Sequence, residues 1–171
     1  MFSSHLFRAP FGVPFFLAIL ALAAWTLSFG HARAAESVVT VEIGGSDFQS
    51  AHDALVEAIE AEGMVVGAVL PFGDMLERTG RQARQGTAGP YRNAELVQFC
   101  SASLAHRMVD EDPGQIVFCP LTIAIYVTTA DTSLVVMAYR ALGEESPARR
   151  QAGVLLARVV GQAARLARLR W

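Results

Sequence analysis

The stretch from residue 99 to residue 126 constrains the fold most, because it holds the chain's only two cysteines. Each cysteine directly follows a phenylalanine at the edge of an apolar run: Cys100 follows Phe99, and Cys119 follows Phe118. If the two runs are neighbouring strands, both thiols reach a common edge of one sheet. The sequence therefore predicts that edge as the candidate functional site.

The first 34 residues have the organisation of a secretory signal peptide. Residues 1–12 carry Arg8 and no acid, residues 13–27 are almost wholly apolar, and Ala32 and Ala34 are small residues at the positions a signal peptidase reads. We therefore expect a signal peptide over residues 1–34 and a periplasmic mature chain. The alternative is an uncleaved inner-membrane anchor over residues 11–30, a stretch long enough for a spanning helix.

The charge balance narrows the classes of partner and of chemistry. All 14 basic residues are arginines, and the chain has no lysine, which excludes Schiff-base chemistry on a lysine side chain. Loss of the predicted leader would leave 12 arginines against 16 acidic residues, a formal charge of −4. An exported acidic domain is a poor partner for nucleic acid, so we expect no nucleic-acid binding.

The first half of the mature chain alternates between strand and helix patterns. Residues 38–43 are rich in β-branched residues and predict a strand, and the apolar run 64–70 predicts a second. Between them, apolar residues recur at helical spacing and predict a helix over residues 47–62. Ser46, with Gln49 three residues on, matches a capping box, so Ser46 is the predicted N-cap.

The second half predicts the rest of the sheet. A short helical turn is expected at residues 74–78, a third strand at 94–99 and a short helix at 101–109. The apolar runs 116–128 and 134–140 predict a hairpin that forms the centre of the sheet.

The C-terminal segment, residues 146–171, predicts a basic amphipathic helix with Pro147 in its first turn. Such a helix packs on the domain's own sheet, or else on a membrane surface or a partner. The predicted fold is a single compact α+β domain over residues 35–145. It has a mixed or antiparallel sheet of about five strands and two or three packed helices, with the C-terminal helix docked on it.

Several short segments resemble the bacterial family of the domain of unknown function 302. The resemblance covers residues 38–167 and rests on the helix segment 54–63 and the strand 95–99. It also rests on the turn Asp112-Pro113 and on Pro120-Leu121 at the start of a long strand. The resemblance implies a compact α+β domain that can form a homodimer, and it implies no established activity.

This chain departs from the family pattern at the first cysteine. Many family members carry Asn-Pro after the phenylalanine-containing strand, where this chain has residues 100–103, Cys-Ser-Ala-Ser. The departure makes the chain resemble an exported, cysteine-bearing branch of the family.

Three interpretations of Cys100 and Cys119 stay open at the sequence level. An oxidising compartment favours a disulfide, which would close a loop of about twenty residues and contribute on the order of 3 kcal/mol. A thiol at the start of the predicted 101–109 helix, opposite Cys119 and Pro120, would instead suit a reversible redox pair or a soft-metal site for copper or zinc. Two unlinked thiols that pack as small apolar residues are the third interpretation.

Two histidines, His52 and His106, are candidates for additional ligands. His106 is the candidate third metal ligand with the two cysteines, but it lies about 120° away from Cys100 around a helix, which favours an exposed histidine. His52 falls on the apolar stripe of the first helix, and we expect it to be partly buried and bonded to backbone or a carboxylate.

The sequence contains none of the common motifs for redox, haem-attachment, zinc-protease, serine-hydrolase or nucleotide-binding sites. The chain has no C-x-x-C, C-x-x-C-H, H-E-x-x-H, G-x-S-x-G or Walker pattern. Whether it is an enzyme stays open, and no catalytic residue is assigned. The favoured function is non-enzymatic binding of a small ligand, soft metal or envelope protein near Cys100 and Cys119. The alternative is a periplasmic thiol-disulfide or sulfur-handling redox protein that uses the same pair.

Overall fold

The fold is taken from a computed structural model that describes residues 37–80 and 89–170. The predicted signal peptide over residues 1–34 and the alternative anchor over residues 11–30 lie outside the described residues. Among the helices that are described, none has the length and apolar character needed to cross a membrane.

In the described part of the chain, five antiparallel strands form one open sheet in the order β1-β5-β4-β3-β2. The strands are β1 (Val38–Gly44), β2 (Val65–Leu70), β3 (Tyr91–Cys100), β4 (Leu121–Thr128) and β5 (Leu134–Arg140). The predicted hairpin is present as β4 and β5, and β4 is the central strand. The predicted α+β fold with an antiparallel sheet of five strands is confirmed.

Four α-helices and one 3₁₀ helix connect or cover these strands in the described residues. They are α1 (Phe48–Ala61), α2 (Phe72–Gly80), α3 (Ala102–Glu111), the 3₁₀ helix (Pro113–Phe118) and α4 (Pro147–Leu169). Serine at the N-cap of α4 explains where that helix begins: the Ser146 hydroxyl accepts a hydrogen bond from the Arg149 N–H at 3.2 Å.

One face of the sheet forms the core with α1 and α4. Alternation along β4 places Ile123 and Ile125 in this core with no exposed surface. Leu55 of α1 and Leu156 of α4 are buried in the same cluster. The intervening β4 side chains, which include Tyr126, are half-buried on the opposite face.

The predicted strand over residues 116–128 is wrong in its first part. Residues Pro113–Phe118 form the 3₁₀ helix, and the strand begins only at Leu121. Asp112 accepts a hydrogen bond from the Gly114 N–H at 2.8 Å, and Pro113 occupies the first helical position. These two residues start a helical turn that an apolar pattern alone does not distinguish from a strand.

The predicted capping residue of the first helix is also wrong. The N-cap of α1 is Asp47, whose carboxylate accepts hydrogen bonds from the Ser50 N–H at 2.9 Å and the Ser50 hydroxyl at 2.7 Å. The buried Ser46 hydroxyl instead contacts the Asp47 carbonyl oxygen at 3.3 Å. A carboxylate at this position also interacts favourably with the helix dipole through its negative charge.

Candidate functional site

The two cysteines lie at the same edge of the sheet, where β3 ends and β4 begins. β3 and β4 are antiparallel neighbours, and Phe99 pairs with Leu121 at the end of their register. Cys100 is the next residue of β3, and Cys119 lies two residues before Leu121. Strand pairing therefore brings together two thiols that are 19 positions apart in the sequence.

Both thiols are free in the structure, and they differ in exposure. Cys100 is exposed, whereas Cys119 is half-buried. Burial raises the pKa of the Cys119 thiol above its usual value, and the neighbouring Cys100 thiol raises it further. The geometry thus defines an accessible thiol beside a recessed one.

The position of Cys119 depends on the 3₁₀ helix and on α4. Its backbone N–H donates to the Ile116 carbonyl oxygen at 3.1 Å and closes the 3₁₀ helix. The preceding residue, Phe118, packs against the core and lies under the guanidinium of Arg149, 4.5 Å from the ring centroid. The Arg149 Nε–H also donates to the Leu142 carbonyl oxygen at 2.5 Å. These contacts fix the position of the backbone that leads into Cys119.

The position of Cys100 depends on strand pairing on its other side. Cys100 is paired with Val65 of β2, an edge strand of the sheet. After Cys100 the chain turns at Ser101, the N-cap of α3, whose side chain makes no capping hydrogen bond. Helix α3 begins at Ala102, so Cys100 precedes the helix instead of forming its first turn.

Two grooves meet at the cysteine pair. One has a volume of about 740 Å³ and is lined by Cys100, and the other has a volume of about 680 Å³ and is lined by Cys119. Gln98 and Pro120 line both grooves. Volumes of this size suit a small ligand. Each groove is lined by one of the two cysteines, and Gln98 and Pro120 form the wall between them.

His106 does not join the cysteines in a three-membered ligand set. It is an exposed residue of α3. Within residues 37–80 and 89–170, no three His, Cys, Asp or Glu side chains are grouped so that they could hold a metal ion. Copper or zinc binding at Cys100 and Cys119 stays a prediction, and these two cysteines are the donors that the fold brings together.

His52 has the environment expected for a partly buried histidine. Its side chain is 18% exposed, and its Nε2 atom lies 3.4 Å from Oε2 of Glu95. Its Nδ1 atom lies 3.4 Å from Oδ1 of Asp53. The histidine therefore contacts carboxylates of α1 and β3, as its place on the apolar stripe indicates.

Two residues near the site were missed from the sequence. Gln98 alternates with the buried Val97 and Phe99, and this alternation was a signal that its amide points away from the core. Arg149 follows Pro147 at the start of a helix, which gave no indication that its side chain packs on Phe118. That contact joins residues 31 positions apart and depends on the tertiary fold.

The fold and these residues define a small α+β domain with two cysteines at one edge of its sheet. A family model described as a domain of unknown function, DUF302, matches residues 39–163. The chain belongs to this family. Both cysteines and the first part of α4 lie inside the matched region.

A solved structure has the same fold. It is the crystal structure of an uncharacterized conserved DUF302 protein from Bacillus stearothermophilus, with a TM-score of 0.59 and 14% sequence identity. The alignment covers 77% of this chain and 98% of that chain. At this identity the similarity concerns the fold alone. No curated protein matches the chain significantly.

Proposed function

We propose that this chain is an exported, cysteine-bearing member of its family that binds a soft or thiol-reactive ligand at Cys100 and Cys119. The observation that supports it is the meeting of the chain's only two cysteines at one sheet edge. Binding requires no catalytic residue, and the mature domain would act in the periplasm. The alternative location is the inner membrane, held by residues 11–30.

The surroundings of the thiols support a binding role. The groove at Cys100 is bounded by β2 and the start of α3, and the groove at Cys119 by the 3₁₀ helix and β5. Exposed apolar side chains flank both thiols: Val65 is 77% exposed and Val117 is 72% exposed. A small ligand or an envelope protein fits this edge if it presents an apolar surface and a soft atom that binds thiols.

A second candidate function is thiol-disulfide exchange, which the difference in exposure favours. The Cys100 thiolate would attack a disulfide of a target, expel one target thiolate and leave a mixed disulfide. The Cys119 thiolate would then attack the Cys100 sulfur, release the second target thiolate and form the Cys100–Cys119 disulfide. The target gains two electrons, and the protein loses them.

The first experiment is intact mass spectrometry of protein purified natively after expression of the full chain. A mass that corresponds to cleavage after Ala34 supports export, and an intact leader supports the membrane anchor. The same spectrum reports whether Cys100 and Cys119 are reduced, bonded to each other or bound to a ligand. Light scattering on the same sample tests the homodimer.

The second experiment measures the reduction potential of the cysteine pair. A potential below about −300 mV identifies a structural disulfide, and a more oxidising value supports exchange. Phenylarsine oxide, which bridges two neighbouring thiols with release of water, tests whether the reduced pair is accessible. A reduced protein that does not take up this reagent would contradict the proposed binding site.

A further inference from the structure

We propose that reduced Cys100 and Cys119 bind one Cu(I) ion as a two-coordinate dithiolate site. This inference rests on the proposed function, since it names the soft ligand of the same site. It excludes zinc as the resident ion. The number, type and exposure of the donors at this edge favour Cu(I).

The donors grouped among the described residues are too few for a zinc site. Zinc in proteins takes four ligands, of which at least three come from side chains. Among the described residues, no group of three His, Cys, Asp or Glu side chains is close enough to hold a metal. Glu62 is the carboxylate that lines the Cys100 groove, and it already pairs with Arg158 at 2.9 Å. Only the two sulfur atoms remain as strong ligands.

The type of donor selects the metal. Thiolate is a soft ligand and prefers Cu(I), which has a filled d shell and is stable with two thiolates in a near-linear arrangement. The other oxygen-bearing side chains that line the two grooves include the hydroxyls of Ser101, Ser103, Thr122 and Tyr139 and the amide of Gln98. Their oxygen atoms are hard donors that add little to Cu(I) binding.

The unequal exposure of the two thiols suits reversible binding. Cys119 is half-buried and is held by the 3₁₀ helix, so it provides a fixed anchor for the ion. Cys100 is exposed, so a thiol from solution or from another protein can approach the copper on that side. The site would therefore hold copper and also release it to a competing soft ligand.

The binding reaction fixes the pH dependence. One Cu(I) ion and two thiols give an anionic copper dithiolate and two protons, with no change of oxidation state. Below the pKa of both thiols, the apparent affinity should rise about 100-fold per pH unit, because two protons leave for each ion bound. A site built on one cysteine would give about tenfold per pH unit.

The test uses the reduced mature protein without oxygen, with bathocuproine disulfonate as the competing Cu(I) chelator. The expected result is one copper per chain, two sulfur neighbours by X-ray absorption, and the two-proton pH slope. Cys100→Ser and Cys119→Ser should each lose the ability to retain copper against the chelator. If Cys119→Ser folds poorly, Cys119→Ala and the exposed Cys100→Ser provide the same comparison.

The matched control is His106→Ala, which removes an exposed histidine of α3 that lines neither groove and should retain copper like the wild type. Retention by a single-cysteine variant, loss in His106→Ala, or equal retention of zinc would each overturn the inference. Uptake of phenylarsine oxide distinguishes failure of the copper site from failure of the proposed function. A wild-type protein that takes up this reagent but retains no copper refutes the copper site and leaves the proposed function standing. Failure of both refutes both.

Discussion

The carboxylate of Glu111, at the end of α3, accepts hydrogen bonds from the backbone N–H of Ala148 in the first turn of α4. The two oxygen atoms lie 3.0 and 3.3 Å from that nitrogen. Ser146 caps the same helix, and its hydroxyl donates to the buried Gln115 at 3.2 Å. A carboxylate at a helix N-terminus satisfies free N–H groups and complements the helix dipole. This contact joins α3 and the 3₁₀ helix to α4.

Glu111→Gln should destabilise the protein at pH 7, and the difference from the wild type should vanish in acid. The neighbouring Ser146 hydroxyl, and next the hydrogen bond from the Ala148 N–H, holds the pKa of the Glu111 carboxyl below its usual value of 4.5. A carboxyl with a lowered pKa stabilises the fold above its unfolded-state value, and this contribution is lost as the pH falls through the folded-state value. Urea unfolding at several pH values measures this contribution to the free energy of unfolding.

The control for this prediction is Asp110→Asn, which removes the preceding exposed carboxylate of α3. Its free energy of unfolding at pH 7 should stay within about 0.5 kcal/mol of the wild type. Equal losses in the two variants would show that general charge, and not the contact with α4, matters.

The exposed thiol should react much faster than the recessed one. In Cys119→Ser the remaining Cys100 should be alkylated by iodoacetamide at least about tenfold faster than the remaining Cys119 in Cys100→Ser. Burial limits access to Cys119 and raises the pKa of its thiol, which lowers the thiolate fraction. Mass spectrometry of timed samples at pH 8 gives both rates. Similar rates would contradict the asymmetry on which the exchange mechanism depends.

Local sequence signals accounted for most of the elements. The β4–β5 hairpin, α1 and the long C-terminal helix follow from apolar periodicity with turn residues at their ends. The pairing of β1 with β5 could not be predicted, because it joins Val38 to Arg140 and no local pattern contains that choice. The order of strands in the sheet is a tertiary property.

The meeting of Cys100 and Cys119 at one edge of the sheet could be predicted only on the condition that their two apolar runs are neighbouring strands. The sequence showed two apolar runs with a cysteine at each edge, and the pairing of β3 with β4 met the condition that they be neighbours. Residues 116–120 of the predicted strand lie outside β4, because a continuous apolar run has no decisive period. Asp112 and Pro113, which start the 3₁₀ helix, were interpreted as a turn alone. The two grooves were also beyond prediction, because each is built from several elements.

Replacement of a central core residue should cost far more stability than replacement beside the site. Ile125→Ala, in the middle of β4, removes a side chain with no exposed surface and should destabilise by about 2–5 kcal/mol. Val117→Ala, at a side chain of the 3₁₀ helix that is 72% exposed, should change stability by less than about 0.5 kcal/mol. Chemical denaturation of both variants checks the contrast. A large loss in Val117→Ala would mean that this surface is covered in the folded protein.

Arg149→Lys should destabilise the fold and make Cys119 more accessible. Lysine keeps the charge but loses the guanidinium contact with the Phe118 ring and the Nε–H bond to the Leu142 carbonyl. The expected loss is about 1–2 kcal/mol, because one hydrogen bond and one cation-π contact are weakened. Alkylation of Cys119 in the Cys100→Ser background should become faster, since Phe118 no longer holds the adjacent chain.

Arg150→Lys is the matched control for this change. Arg150 is the next residue of α4, and it donates to the Glu144 carbonyl at 2.7 Å on the exposed surface. We expect little change in stability and none in the alkylation rate of Cys119. An equal increase in that rate in both variants would show that the start of α4, and not the Phe118 contact, controls access.

Gly153→Ala should stabilise the protein by about 0.5–1 kcal/mol, because glycine inside a helix costs about that much relative to alanine. Gly153 lies within α4, and an added Cβ would meet no atom within 4 Å. The matched control is Gly63→Ala: that site is equally open, but its φ of 75° lies in the left-handed region. Gly63→Ala should therefore destabilise by about 1–2 kcal/mol. Thermal and urea unfolding measure both, and changes of the same sign would show that backbone conformation does not govern these two positions.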